Sequence, residues 1–313
     1  MVQRPKICFG MGLYNNSRYL PATIESILQQ TYNDFSLIAI DDCSDDDTNE
    51  IMQHYASKDK RIYYIRNEER KGNIYTWRRA FKEARKVSVD YFAWASDHDI
   101  WHPEWLQNHV AILNKYPQVV LVYPFVIDIG ENDEHLIKRN DCLDTSGMKK
   151  ISHIRTICKG LTGAGYKVYG LFRAKALAET SIYSYCIMPD RLLLLEISIF
   201  GRFSQIEKFL WYRRFPGGKK HPTINHNQHE IGRMYDDTVI DQRLSLFRLG
   251  KTPHHSYFPF LTHAFLLIKR TIKLSGISNP ANFFLGFYMA ILYLHANKFY
   301  LKRELKLFNK KYR

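Results

Sequence analysis

The feature that most limits how this 313-residue chain can fold is an alternation across its first 130 residues. Short apolar runs at Lys6–Met11, Ser36–Ile40, Ile62–Ile65, Tyr91–Ala95 and Val119–Ile127 are separated by amphipathic segments. Runs that stay apolar suit strands buried on both faces, and a helix between each pair supplies the crossover a parallel sheet requires. Leu20, Ile24, Ile27 and Leu28 mark the first helix, and Ile51, Met52 and Tyr55 the second. Trp77, Ala80, Phe81 and Ala84 mark a third with Asn73 as a candidate cap; Trp105, Val110, Ile112 and Leu113 mark a fourth opened by Pro103. The pattern predicts a nucleotide-binding α/β half with ligands at the carboxyl ends of its strands.

From Gly130 to Gly165 the periodicity loosens. Arg191–Phe200 is apolar nearly all round and reads as a buried helix entered through Pro189 and Asp190. A strand is expected at Phe209–Arg214, running into a basic loop at 215–222, and helices at Tyr257–Leu274 and Pro280–Phe308. No apolar run reaches the roughly 20 residues needed to cross a bilayer; the nearest is Phe283–Leu294. Met1–Lys6 lacks the apolar core of a secretory leader. Five cysteines, odd in number and never spaced C-x-x-C, argue against a disulfide framework and a cysteine zinc site, so a cytoplasmic location is expected.

Charge is uneven. From Lys251 onward eleven lysines and arginines face the single acid Glu304, so most of the net +14 sits in the last fifth of the chain. Such a tail attracts nucleic acid, anionic lipid or an acidic partner. Its aromatic residues lie in helical apolar stretches rather than spaced as an exposed stacking surface, which disfavours nucleic acid. Apolar helices with a cationic flank suit the inner face of the cytoplasmic membrane; a helical cap or a dimer contact is the alternative.

Two acidic clusters follow expected strands. Asp41-Asp42-Cys43-Ser44-Asp45-Asp46-Asp47 packs five carboxylates into seven positions, where a helix cap needs only one. Such a cluster is easier to understand if some members bind a hydroxyl, an N–H or a cation. In Asp97-His98-Asp99 two carboxylates two residues apart, after a strand, can converge on a hard divalent ion such as Mg²⁺ or Mn²⁺. An ion held this way takes its other ligands from water and substrate phosphates.

Four segments together resemble the family-2 glycosyltransferases of the GT-A fold. They are Gly12-Leu13-Tyr14-Asn15; Pro21–Phe35 with its Gln30-Thr31-Tyr32-Asn33-Asp34-Phe35 exit; Ile40–Thr48; and Asp97-His98-Asp99 with Trp101–Leu106 behind it. The resemblance implies a Rossmann-like, mixed but mostly parallel sheet flanked by helices, with a C-terminal helical extension. It divides the chain into a catalytic domain at 1–215 (nucleotide-sugar half 1–110, acceptor half 111–215) and a basic loop with helices at 216–313. It implies an inverting, metal-dependent transfer from a nucleotide-diphosphate sugar, UDP or dTDP favoured, to a saccharide or lipid-linked saccharide acceptor in bacterial polysaccharide synthesis. A nucleotidyltransferase is the rival enzyme, but residues 10–18 make a poor triphosphate loop.

Position by position, the resemblance lays Tyr14 against the base and has Asp42 accept the base's ring N–H. Asn73 falls near the nucleotide, with a plain helix cap as its rival reading. Asp97 would sit by ribose and metal, and Asp99 would be the principal metal carboxylate. His98 stands between them where many relatives carry another Asp. A later histidine joins the metal shell in some GT-A enzymes; His221, His226 and His229 are the candidates. Asp190, at the start of the apolar helix, is the expected base, with Glu196, Asp128 and Asp144 as lesser candidates. A helix N-terminus is expected to keep Asp190 ionised.

Overall fold

The computed structural model describes residues 6–140, 143–161, 164–215, 258–275 and 280–311. The chain forms two compact units: Met1–Gly147 with Gly165–Glu179 and Gly201–Lys220, and Met148–Ala164 with Thr180–Phe200 and His221–Arg313. Residues 148–164 and 180–200 therefore group with the C-terminal helices.

The first unit holds one sheet of nine strands: β1 (Ile7–Leu13), β2 (Phe35–Asp41), β3 (Ile62–Arg66), β4 (Tyr91–Ala95), β5 (Ile100–Trp101), β6 (Val119–Ile129), β7 (His135–Arg139), β8 (Leu171–Arg173) and β9 (Arg202–Arg214). Their order is β3-β2-β1-β4-β8-β6-β9-β5, with β7 paired to β6. β1 to β4 are mutually parallel, β8 is antiparallel to both neighbours, and β9 runs parallel to β6. The crossovers are α1 (Leu20–Leu28), α2 (Thr48–Lys58) and α3 (Asn73–Lys86), with α4 (Trp105–Lys115) entering β6. Leu13 lies opposite Asp41, Asp41 opposite Arg66, and Met11 opposite Ala95. The loops after these four strands consequently emerge along one edge of the sheet.

β5, β7 and β8, of two, five and three residues, were not foreseen, because such short strands exist by pairing rather than by their own pattern. β9 starts at Arg202, well before Phe209, since pairing with β6 carries the polar stretch Ser204-Gln205-Ile206-Glu207-Lys208. Gly72, at φ 86°, caps α3; Asn73 is instead its first residue, its Oδ1 accepting the Ile74 N–H at 2.8 Å. The α1–α4 side of the core gathers Phe9, Phe35, Trp101, Trp105 and Trp211, the Phe9 ring lying 5.5 Å from Trp105. On the other side of β1, α3 sits close because residue 10 has no side chain. A Cβ there would fall 2.4 Å from Phe92 and 2.9 Å from Ala80.

α5 (Lys150–Gly160), the short α6 (Ala164–Lys167) and α7 (Ala174–Ala178) lead to α8 (Pro189–Ile197). In α8, Leu192–Leu195 and Ile197 are wholly buried, as the all-round apolar pattern predicts. The second unit adds α9 (Pro259–Ser275), α10 (Pro280–Ala296) and α11 (Lys298–Lys311). The single helix expected at Pro280–Phe308 breaks at Asn297, whose backbone and side-chain N–H groups both donate to the Tyr293 carbonyl. Glu304 of α11 accepts the Phe260 N–H at 3.0 Å, satisfying one of the free amides at the start of α9. Among the described residues no helix is long and apolar enough to cross a membrane.

Gly10→Ala should destabilise the chain by about 1–3 kcal/mol through overpacking against Phe92 and Ala80. Urea unfolding checks this; an unchanged midpoint would mean that α3 does not press on β1 as described.

Candidate active site

The loops after β1 and β2 are stitched together by the first acidic cluster. Asp41, fully buried at the end of β2, accepts the Ser44 N–H (2.9 Å) and hydroxyl (2.6 Å) on Oδ1. Its Oδ2 takes the Tyr64 hydroxyl (2.8 Å) and Arg66 Nη1 (2.9 Å). The Asn15 N–H donates to Ser44 Oγ at 3.1 Å, and the Asp45 N–H to Asn15 Oδ1 at 3.0 Å. Asp46 accepts the Ser17 and Thr48 N–H groups. Burial alone would raise its pKa, but these bonds outweigh it and hold the carboxyl below its ordinary value. Asn15 and Cys43 both adopt positive φ, which these bonds hold in place. The cluster thus binds hydroxyls, N–H groups and a guanidinium, much of it as architecture.

Asp42 sits beside it, 3% exposed. Oδ1 accepts Asn67 Nδ2 (2.8 Å) and the Lys71 N–H (2.7 Å), and Oδ2 accepts the Gly72 N–H (2.6 Å). Three of a carboxylate's four acceptor positions are occupied, leaving one on Oδ2. Asp42 therefore also shapes the loop that carries Asn73, whose side chain is exposed. Tyr14 is half-buried beyond β1, with the Arg70 guanidinium 4.0 Å from its ring centroid. A flat ring and a cation already stacked on it form a platform of the kind a base or phosphate can use.

The second acidic cluster lies after β4. Asp97 Oδ1 accepts Asn16 Nδ2 (2.8 Å) and contacts His98 Nδ1 (2.7 Å); Oδ2 accepts the Tyr14 N–H (3.3 Å). Asp99 is 1% exposed, and its Oδ1 accepts the Arg214 N–H at 2.8 Å. Burial raises the Asp99 pKa despite the opposing influence of His98, Ser96 and that amide. Burial would lower His98, but Asp99 and Asp97 outweigh it, so the imidazole is held above its ordinary value. Among the described residues the one basic side chain within 4 Å of Asp99 is His98, Nε2 lying 3.9 Å away.

Two buried carboxylates sharing one imidazole leave negative charge at this turn. That donor set fits Mg²⁺ or Mn²⁺, which needs only one or two protein carboxylates when phosphates and water complete its shell. Among the described residues no group of three or more acids, histidines and cysteines is arranged to hold a metal by itself. His221, His226, His229 and the basic loop lie outside the described residues.

Sequence reading missed Arg214, 4% exposed at the end of β9. Besides its N–H on Asp99, its Nε donates to the His98 carbonyl (2.8 Å) and Nη1 to the carbonyls of Gly130 and Glu131 (3.2 Å each). Nη2 pairs with Asp133 at 2.6 Å, and the guanidinium lies over the Tyr19 ring at 4.9 Å. A planar fork of donors fixes three backbone carbonyls around the acidic turn. An arginine closing a strand has no periodic signature that would have found it.

The base candidates separate cleanly. Asp128 is fully buried in β6 and ion-paired with Arg139 and Arg213. Asp144 accepts four bonds, from the Ser146 N–H and hydroxyl, the Ser204 hydroxyl and the Gln205 N–H. Burial raises its pKa, but those bonds prevail and hold it low, so it is a poor proton acceptor at neutral pH. Glu196, buried within α8, accepts the Ser181 N–H and hydroxyl. Asp190 lies in the first turn of α8, after Met188 in a left-handed conformation (φ 51°). Burial lifts its pKa above the ordinary value, against Arg191 and the local N–H groups. Desolvation thus acts against the helix N-terminus and the local N–H groups. A raised carboxyl is a better proton acceptor once ionised.

The profile of Glycosyl transferase family 2 matches residues 8–180. EpsE of Bacillus subtilis, which carries the name of a glycosyltransferase, is 36% identical over 113 residues, covering 36% of this chain and 40% of EpsE. TuaG of the same organism, named as a teichuronic acid biosynthesis glycosyltransferase, is 30% identical over 100 residues, covering 32% of this chain and 38% of its own. Both alignments span less than half of the relative's length. Among solved structures, S. aureus TarS 1–349 in complex with UDP-GlcNAc aligns over 95% of this chain and 80% of its own, with TM-score 0.55 and 16% identity. The mannosyltransferase PcManGT from Pyrobaculum calidifontis, in complex with GDP-Man and Mn²⁺, aligns over 94% of this chain and 86% of its own, with TM-score 0.54 and 15% identity. These structures share the GT-A fold with this chain.

Arg214→Lys keeps the charge but loses the fork, and is expected to destabilise by about 1–3 kcal/mol through unmet buried carbonyls, read by urea unfolding. For Asp144 the folded pKa is depressed, so its stabilising contribution is present above the unfolded value near 3.9 and is lost as pH falls through the folded one. Asp144→Asn should flatten the acid limb of the urea-midpoint profile; an unaltered limb would contradict this assignment.

Proposed function

The chain belongs to glycosyl transferase family 2, and from that premise we propose an inverting transfer of a sugar from a nucleotide-diphosphate donor to an acceptor hydroxyl. The observation that carries the reading is the pair of buried carboxylates, Asp97 and Asp99, on the strand edge that also bears Tyr14 and Asp42. Tyr14, with Arg70 behind it, would hold the base, and the open acceptor position of Asp42 Oδ2 would take its ring N–H. A single open acceptor matches the one ring N–H of uracil or thymine, whereas guanine presents a ring N–H and an amino group together, hence UDP or dTDP. Asn73 would lie along the nucleotide from the first turn of α3. Asp97 and Asp99 would hold Mg²⁺ or Mn²⁺, with His221 as a further ligand. The ion supplies neutralisation of the charge growing on the leaving diphosphate.

The acceptor hydroxyl oxygen would form the new bond to the anomeric carbon as the bond to the diphosphate oxygen breaks. Its proton passes to the Asp190 carboxylate, and configuration inverts because attack is opposite the leaving group. The name of TuaG supports a saccharide acceptor of bacterial surface-polysaccharide synthesis.

An anionic bilayer surface is the partner we assign to the C-terminal helices. Leu261 and Phe265 on α9, and Phe284, Phe287 and Ile291 on α10, are all more than 40% exposed. Lys269 and Lys273 continue the outer face of α9, and α11 adds further cations. Apolar side chains with a cationic flank match a negatively charged interface better than a neutral protein partner. A lipid-linked acceptor would be met there.

In a thermal-shift panel of UDP-, dTDP- and GDP-sugars, stabilisation by a pyrimidine nucleotide sugar should require Mn²⁺ and disappear in Asp99→Ala. Asp190→Asn should keep that stabilisation and lose transfer; normal transfer would reject it as the base. Because the Asp190 pKa is raised, activity should fall with acidification from above the ordinary carboxylate range. Vesicles containing phosphatidylglycerol should bind the chain in a salt-dependent way, and Phe265→Ser with Phe284→Ser should weaken binding. Equal binding to neutral vesicles, or a dimer with no vesicle binding, would overturn the membrane assignment.

A further inference from the structure

Behind the first turn of α8 runs a buried chain of hydrogen bonds that neither the donor site nor the proton transfer itself uses. His263 of α9 is wholly buried, with Nε2 2.7 Å from the Ile187 carbonyl and Nδ1 2.9 Å from the Tyr293 hydroxyl of α10. A carbonyl can only accept, so Nε2 carries the proton and Nδ1 must accept from Tyr293. The Arg191 guanidinium acts electrostatically on the Tyr293 hydroxyl. Arg191 also reaches Asn297 Oδ1 at 3.4 Å, while Asn297 donates back to the Tyr293 carbonyl at 2.7 Å. Donation therefore runs one way: Arg191 to Asn297, Asn297 to the Tyr293 carbonyl, the Tyr293 hydroxyl to His263, and His263 to the carbonyl of Ile187.

Its two ends, Ile187 and Arg191, bracket Met188-Pro189-Asp190. Met188 is held at φ 51°, ψ 54°, a conformation that costs a non-glycine residue energy and persists only when its surroundings enforce it. The Arg191 N–H closes the same turn on the Met188 carbonyl at 3.1 Å. Burial pushes the His263 pKa down to about 4, so the ring stays neutral and its tautomer fixed across the working pH range. The Asp190 charge is felt at Tyr293 and at Cys186, which places the carboxylate within electrostatic reach of the chain.

We propose that His263 and Tyr293 position Asp190: the chain from Arg191 through Tyr293 and His263 to Ile187 fixes the left-handed turn that presents the carboxylate to the acceptor. This rests on the reading of Asp190 as the base. It gives the C-terminal helices a role in the reaction separate from membrane docking, since α9 and α10 each supply one member of the chain.

Hydrogen exchange on the full chain needs no ligand. Tyr293→Phe should speed exchange over residues 186–192 by about tenfold, with peptides from β1 to β4 unchanged. His263→Gln, whose amide donates and accepts over a similar span, should retain protection, whereas His263→Phe should lose it. Turnover is then read as nucleoside diphosphate released from whichever of the UDP-, dTDP- or GDP-sugars stabilises the chain with Mn²⁺. With Asp190→Asn inactive, Tyr293→Phe should lower kcat by about tenfold or more while donor KM stays within about twofold. The double variant Asp190→Asn/Tyr293→Phe should be no slower than Asp190→Asn alone. A folded Tyr293→Phe with wild-type exchange and kcat overturns the proposal. Asp190→Asn turning over normally rejects the base assignment and, with it, a positioning role. Should Tyr293→Phe fail to fold, Arg191→Met interrupts the same chain from its partly exposed end and is held to the same criteria.

Discussion

The acidic turn after β4 holds its shape because Arg214 closes on it from the end of β9. Two carboxylates cannot be taken out of water at neighbouring positions unless other groups compensate them. Here the compensation comes from the ends of two other strands, β9 and β1. Arg214 supplies a backbone N–H to Asp99 and a guanidinium fork to the carbonyls of His98, Gly130 and Glu131. The loop after β1 supplies the Tyr14 N–H and the Asn16 amide to Asp97. The Arg214 guanidinium is spent on carbonyls and Asp133 rather than on the carboxylates, so the backbone of the turn is fixed without a direct ion pair from that arginine. Preorganised charge of this kind is what binding a hard divalent ion requires.

The cluster after β2 uses the same chemistry for a different purpose. Asp41 and Asp46 spend their acceptors on neighbouring N–H and hydroxyl groups, which locks the loops after β1 and β2 to each other. Asp42 does so incompletely. It holds the turn before α3 through the Lys71 and Gly72 amides and keeps one acceptor position open. A single residue can thus serve the architecture and still present a recognition point.

Much of the first 115 residues was legible because β1, β2 and β4 are built on apolar runs and the helices between them carry an apolar face. The loop acids were legible because five carboxylates in seven residues are more than a helix cap needs, although most of them turn out to bond the neighbouring loops. What escaped notice depends on pairing and desolvation. β5, β7 and β8 are too short to carry a pattern, and the break at Asn297 is made by a single side chain turned back on its own helix. Arg214 and His263 look like ordinary residues until the fold brings them to distant partners. For Asp190 the helix N-terminus can be read from sequence, but the desolvation that opposes it cannot.

Anomalous scattering at the manganese edge, from crystals grown with Mn²⁺ and UDP or dTDP, tests the central claim most directly. A peak bridging the carboxylates of Asp97 and Asp99 to the diphosphate is the predicted result. Nucleotide bound on the Tyr14 edge with manganese absent from that turn, or seated elsewhere, would contradict the account.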